Sequence, residues 1–123
     1  MVRISIVIVL TLSVCSCVYH GEAVLAEDPS RGAVDRGESL LYSYNCGSCH
    51  SIPGVAEANG TVGPPLDGLA NQTYVSGLLT NTPDNLARWI VDPQQVDAST
   101  AMPKLGVTDE QALDIVAYLY TLQ

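Results

Sequence analysis

The chain has 123 residues and a formal net charge of −8 at pH 7, with 5 lysine and arginine residues against 13 aspartates and glutamates. Binding to nucleic-acid phosphates requires a basic face, so this charge balance disfavours a nucleic-acid partner. The length allows a short leader followed by one small domain.

The first residues are typical of an export signal. Arg3 precedes an apolar run over residues 4–14, which is shorter than the about 20 residues that span a bilayer but suits the centre of a signal peptide. Cleavage after Ala26 would give a signal peptide of residues 1–26. Alternatively, the sequence Val-Cys-Ser-Cys ending at Cys17 resembles a lipoprotein box, and a lipid on Cys17 would tether the protein to a membrane. Both alternatives predict an exported, periplasmic protein.

The domain is predicted to follow a flexible lead-in of residues 27–33 and to cover residues 34–123. It begins with a helix predicted over residues 34–44. The apolar side chains of this helix share one face: Leu40, Leu41 and Tyr44. Residues 51–71 are rich in Gly, Pro and Asn and are predicted to form a long loop. A loop of that length is unusual in a compact domain unless it wraps around a bound group.

Two more helices are predicted further along. Thr82 is suited to the N-cap and Pro83 to the first turn of a helix that ends before the following Asp-Pro pair. After a second loop, Thr108 and Gln111 have the spacing of a capping box that opens the last helix. The side chains predicted to be buried are Leu86, Trp89 and Ile90 in the middle helix and Ala112, Leu113, Val116, Ala117, Leu119 and Tyr120 in the last. No strand-like alternation is present, so the predicted fold is all-α.

The segment Cys46-Gly47-Ser48-Cys49-His50 has the attachment pattern of a c-type haem. Two thiols must reach the two vinyl groups on one edge of the porphyrin, and the following histidine must reach the iron. Two intervening residues place the thiols about one helical turn apart, on the same side. Cys46, Cys49 and His50 are therefore the predicted attachment and ligand residues.

Two other chemistries of a Cys-x-x-Cys pair are disfavoured. A structural zinc site usually has four cysteine or histidine ligands, and residues 27–123 offer only Cys46, Cys49 and His50. A thioredoxin-like redox pair expects a βαβ context, which the sequence lacks. One covalently bound haem c is the predicted cofactor.

The second axial ligand follows by elimination. His20 lies in the segment that is expected to be removed, and Met102 is the single methionine after the signal peptide. Met102 stands between Ala101 and Pro103 in a predicted loop, where a methionine that only filled a core would be poorly placed. Histidine–methionine ligation fills both axial positions and raises the reduction potential. His50 and Met102 are the predicted metal ligands.

Several stretches of the chain recur together in one known family. They are residues 46–52, 60–64, 81–90, 92–94 and 116–119. With the order of their helices and motifs, they resemble the class I cytochromes c, in particular the cytochrome c domain fused to subunit II of some bacterial haem-copper oxidases. The resemblance covers residues 37–122. It implies a small class I cytochrome c fold of three to five helices, with long loops wrapped around one haem.

The resemblance also implies roles for single residues. Pro64 would accept a hydrogen bond from Nδ1 of His50 and so fix the ligand ring. Trp89 would pack on the haem near Met102, and Arg88 would be a partner for a haem propionate. Each of these three residues also has a plainer interpretation: a turn proline, a core tryptophan and a solvent-facing arginine.

Other positions of the chain extend or depart from the family pattern. Tyr44 and Tyr118 would lie where the first and last helices cross. The oxidase domains usually carry a Thr-His pair and then an Arg after the Gly-Pro turn, whereas this chain has Asp67-Gly68 and Gln72. A propionate contact from that loop is therefore not expected. Since no copper-binding subunit II precedes the domain in this sequence, a free-standing module is expected.

The predicted function is single-electron transfer by one haem, to or from redox partner proteins such as a membrane terminal oxidase or a periplasmic dehydrogenase. Because both axial positions would be filled, no enzymatic activity is expected. Two alternatives stay open. One is a haem enzyme or gas sensor in which a labile Met102 opens the sixth position, and the other is a fixed subunit of a larger redox complex.

Overall fold

The computed structural model describes residues 29–123 of the chain. The predicted signal peptide, with Cys17 and His20, and the first residues of the predicted lead-in lie outside the described residues. Within these, four α-helices, two short 3₁₀ turns and one hairpin are present. Their bounds are α1 Pro29–Ser43, 3₁₀ turns Cys46–Ser48 and Leu69–Asn71, β1 Tyr74–Val75, β2 Leu79–Thr80, α2 Pro83–Val91, α3 Pro93–Val96 and α4 Asp109–Leu119. No helix of this part is long and apolar enough to cross a membrane.

The first helix, α1, is longer than the apolar pattern predicted. It begins at Pro29, so residues 29–33, which we assigned to the lead-in, are helical. Proline fits the first turn of a helix because that turn needs no amide donor. Ser30 and Arg31 are exposed, so the added turn buries no apolar stripe that a periodicity argument would detect.

Helix α1 crosses α4 with Gly37 at the contact. A Cβ atom at Gly37 would meet the carbonyl oxygen of Asp114 and lie 2.9 Å from Cβ of Tyr118, so the close approach of the helices requires glycine here. Arg36 donates two hydrogen bonds of 2.8 Å to the Asp114 carboxylate beside the contact. Tyr44 donates a 2.8 Å hydrogen bond to a side chain in the first turn of α4. Tyr44 and Tyr118 thus lie at the crossing, as the family resemblance implied.

The last helix, α4, opens with the predicted capping box. Oγ1 of Thr108 accepts from the amide of Gln111, and the Thr108 amide donates to Oε1 of Gln111. The buried side chains of α4 are Ala112, Ile115, Val116, Tyr118 and Leu119, while Ala117 and Tyr120 are half-buried. The prediction for Leu113 was wrong, because it is 52% exposed. Residues two apart on a helix point about 200° apart, so Leu113 faces away from the fully buried Ile115.

Helix α2 follows its prediction at both ends. Thr82 accepts a hydrogen bond from the amide of Asn85, and Pro83 is the first helical residue. The buried side chains of α2 are Leu86, Ala87 and Ile90. They pack with α4, with Leu41 of α1 and with Ile52 and Leu69 of the loops into one hydrophobic core.

Two short elements were not predicted. Helix α3 follows α2 after a single residue: the Asp92 side chain accepts from the amide of Gln95, and Pro93 takes the first helical position. The hairpin pairs Tyr74 with Thr80 in an antiparallel register. Four helical residues and two-residue strands are both too short to show a period in the apolar pattern.

Candidate functional site

The two cysteines lie on a tight turn directly after α1. The turn Cys46–Ser48 is preceded by Asn45 in the left-handed region, with φ 55°. The amide of His50 donates to the carbonyl of Cys46 at 3.0 Å, which holds the histidine one turn beyond the first thiol. Both cysteines are half-buried free thiols, and burial raises the pKa of the Cys46 thiol.

The loop around residues 60–64 lies along this segment. The amide of Gly60 donates to the carbonyl of Gly47 at 2.9 Å, and the amide of Gly63 donates to the carbonyl of Cys49 at 2.8 Å. These two backbone bonds join the long loop to the attachment segment itself. The loop that the sequence predicted to wrap a cofactor is therefore anchored where that cofactor would be attached.

A hydrogen bond orients the His50 ring and selects its neutral tautomer. Nδ1 of His50 lies 2.7 Å from the backbone carbonyl oxygen of Pro64. A carbonyl oxygen only accepts, so Nδ1 carries the proton and donates it. In the neutral ring this leaves Nε2 with a free lone pair, which is the state that binds a metal.

Gly63 is pressed against the same ring. A Cβ atom at Gly63 would meet Cε1 of His50 and would lie 2.7 Å from Nδ1. Real Cβ atoms do not approach other heavy atoms so closely, so any side chain here would push the ring away from Pro64. The Gly-Pro pair therefore positions His50 in two ways, by leaving room for the ring and by accepting its proton.

Met102 lies in a segment without helix or strand and is half-buried. Its amide donates to Oγ1 of Thr100 at 3.3 Å. Its carbonyl oxygen accepts from Nε2 of Gln94 at 3.2 Å. Both backbone polar groups of Met102 are thus bonded to side chains.

The residues of α2 that the resemblance singled out have different surroundings. Trp89 is half-buried and packs against the hydrophobic core. Arg88 is exposed, with Nη1 at 3.4 Å from Oδ1 of Asn85, and it lines a surface cavity of about 190 Å³. The same cavity contains the ion pair between Lys104 and Asp92, at 2.6 Å. The hydrogen bond from Lys104 holds the pKa of the Asp92 carboxyl below its ordinary value.

Of the predicted site residues, Cys46, Cys49, His50 and Pro64 lie together. Arg88 and Trp89 lie on α2, and the segment of Met102 is held against the start of α3. The donor set fits a covalently bound haem c, because two free thiols stand on one turn beside an imidazole whose Nδ1 is hydrogen-bonded and whose Nε2 makes no hydrogen bond within that contact. Met102 is half-buried, and its role as the second ligand stays a prediction from the sequence.

Sequence reasoning missed the roles of several residues that hold the Met102 segment. Asp92 and Gln94 were named only within the matching stretch 92–94, without a role, and Lys104 was not named, because contacts across a loop leave no local pattern. Only Asp92 had a local signal, since an Asp-Pro pair is a helix-start pattern as well as a helix-end pattern.

Comparison with known proteins adds one family and one relative. Residues 34–123 match a family model described as Cytochrome c. Over 105 residues the chain is 27% identical to a protein named Cytochrome c oxidase subunit 2 from Alkalihalophilus pseudofirmus. The alignment covers 85% of this chain but only 30% of that protein, so the chain spans about 30% of its relative's length. No solved structure gave a significant match.

Proposed function

Because this chain belongs to the cytochrome c family and binds haem c covalently, we propose that Cys46 and Cys49 form the two thioether bonds and that His50 and Met102 are the axial ligands. The haem supplies the one-electron oxidation and reduction. The chain supplies the attachment, fixes the ligand ring and controls access to the sixth position. In this proposal residues 1–26 are the signal peptide and residues 34–123 the monohaem domain.

The observation that carries this proposal is the hydrogen bond between Nδ1 of His50 and the carbonyl of Pro64, at 2.7 Å. It orients the ring and, in the neutral imidazole, puts the lone pair on Nε2. Cys49 is joined to the same loop through the amide of Gly63, at 2.8 Å. The backbone of Cys49 and the imidazole of His50 are thus held by one loop, which supports a preorganised attachment site.

Electron transfer, without catalysis of bond formation or cleavage, is the function that these ligands support best. With His50 and Met102 both bound, no axial position is left for oxygen or a substrate. The haem enzyme or gas sensor requires Met102 to leave, although its two backbone polar groups are both held by side chains. The anchored loop therefore favours the electron carrier.

We expect the reduced wild-type protein not to bind carbon monoxide at neutral pH. The oxidised protein should show the weak long-wavelength absorption band that reports a sulfur–iron bond. Absorption spectra under argon and under carbon monoxide test both expectations, with the Met102→Ala variant as the positive control for an open site. Rapid carbon monoxide binding by the wild type would instead support the enzyme or sensor.

A membrane terminal oxidase is the proposed electron partner, as the name of the relative suggests. A periplasmic dehydrogenase is the alternative partner. A net charge of −8 limits ion-pair docking to basic partners, whereas apolar docking needs no charge. Val62 is 79% exposed and directly precedes Gly63, whose amide donates to the Cys49 carbonyl and where a Cβ atom would meet the His50 ring. Docking at Val62 would bring the partner next to the proposed proximal ligand.

Val62→Glu should therefore slow electron transfer to the oxidase about five- to tenfold, as the loss of a central apolar contact does in other interfaces. The rate is measured as oxidation of the reduced protein by membranes of the producing organism. Leu113→Glu is the matched control, because Leu113 is 52% exposed but lies on α4. Equal rates for both variants would reject docking at Val62.

Export to the periplasm and a lipid on Cys17 stay predictions from the sequence, because Cys17 lies outside the described residues. A lipid anchor would keep a carrier at the membrane that contains its oxidase, where diffusion in two dimensions replaces diffusion in three. It would also agree with a fixed subunit of an oxidase complex. Co-purification of the oxidase with the protein distinguishes that subunit from a mobile carrier.

A further inference from the structure

The segment that carries Met102 has little packing to hold it. Residue 101 and residues 103–106 are exposed, and the next buried side chain is Val107. Gly106 has φ +78° and no heavy atom near a would-be Cβ. Apolar burial therefore contributes little to fixing this segment, and its position depends on polar contacts.

These polar contacts attach the segment to the corner where α2 ends and α3 begins, at Asp92 and the residues that follow it. Nε2 of Gln94 donates to the carbonyl of Met102 at 3.2 Å. Two residues further along, Nζ of Lys104 lies 2.6 Å from Oδ2 of Asp92. The segment is thus attached to the corner on both sides of Pro103, which itself has no amide hydrogen to donate.

Asp92 is the junction of this arrangement. Its amide donates to the carbonyl of Arg88 and so ends α2, while Oδ1 accepts from the amide of Gln95 and caps α3. Its second oxygen binds Lys104. One carboxylate, only 16% exposed, therefore ties the Met102 segment to two helices.

We propose that Asp92 and Gln94 are positioning residues that clamp the Met102 segment against the corner of α2 and α3 and keep the thioether on the iron. This inference rests on the proposed ligation by Met102. Opening of the clamp would loosen the segment, because residues 103–106 are all exposed. The two residues then set how often the sixth position is open.

The test uses the haem-loaded oxidised protein and imidazole, which binds only when the methionine has left. Asp92→Asn keeps an oxygen that can cap α3 but removes the charge that binds Lys104. Gln94→Ala removes the bond to Met102 and leaves the cap intact. Each variant should bind imidazole about two- to fivefold more tightly, as expected for one partly exposed polar contact. The limiting rate of imidazole binding should rise by a similar factor, because that rate reports opening.

The matched control is Asp114→Asn. Asp114 is 14% exposed and pairs with an arginine that is 61% exposed, against 16% and 55% for the Asp92–Lys104 pair. The control loses a comparable ion pair at the crossing of α1 and α4, so its denaturation midpoint shows the general cost of the loss. Its imidazole affinity should equal that of the wild type.

Two failures are distinguishable. If Met102→Ala leaves the long-wavelength band of the oxidised protein unchanged, the ligation by Met102 fails. If that band depends on Met102 but Asp92→Asn and Gln94→Ala bind imidazole no better than Asp114→Asn, the clamp is overturned. Should Asp92→Asn fold poorly, Gln94→Ala decides alone, because the Gln94 side chain takes no part in the cap.

Discussion

Replacement of Met102 by histidine is expected to lower the reduction potential by about a few tenths of a volt. This is a fraction of the roughly 0.8 V range over which axial ligands set the potential of a haem. A thioether is a weak donor that favours the ferrous state, whereas an imidazole nitrogen stabilises the ferric state. The variant should remain six-coordinate and low-spin, because a nitrogen ligand replaces the sulfur. The long-wavelength band of the oxidised protein should disappear. Potentiometric titration and absorption spectra measure both effects.

Met102→Ala separates the loss of sulfur from the gain of nitrogen. It should open the sixth position, so that the reduced protein binds carbon monoxide, and the long-wavelength band should again disappear. If neither substitution changes spectrum or potential, Met102 is not the ligand. His20 would then be the other candidate, and its survival in the mature protein would be visible as an N-terminus upstream of residue 20.

The parts of the fold that were predictable are those with local chemistry. Thr108 and Gln111 form the capping box because both hydrogen bonds are made within one turn. The same holds for Thr82 before Pro83. The attachment turn at Cys46 was also recognisable, because its chemistry fixes the spacing of the thiols.

The parts that were not predictable depend on contacts between distant residues. Leu113 satisfied a helical apolar pattern yet is exposed, because periodicity does not show which side of α4 the other helices cover. Gln94 reaches Met102 across eight positions of sequence, and such a contact has no signature in the chain. The sequence placed α1 five residues too late, at Val34 instead of Pro29, since an exposed first turn has no apolar stripe.

The second large effect is expected at Gly63. Gly63→Ala should destabilise the folded haem protein by about 2–4 kcal/mol, from overpacking together with one lost hydrogen bond. The added methyl group would occupy space that the His50 ring now fills, with Nδ1 only 2.7 Å from the Cβ position. The ring would have to leave the carbonyl of Pro64, and the tautomer that frees Nε2 would lose its support. Chemical denaturation measures the loss of stability.

Gly32→Ala is the control for this substitution. Gly32 lies in α1, where a Cβ atom would meet only the flexible end of Arg36, at 3.3 Å. Alanine there should leave stability unchanged or raise it by up to about 1 kcal/mol, because it improves helix propensity. A Gly63→Ala variant as stable as Gly32→Ala would contradict the positioning of His50 by this loop. A weakened Nδ1 hydrogen bond makes the imidazole a poorer donor, so Gly63→Ala should also raise the reduction potential. A variant that is destabilised but keeps the wild-type potential would show that the loop supports the fold and not the electronic state of the ligand.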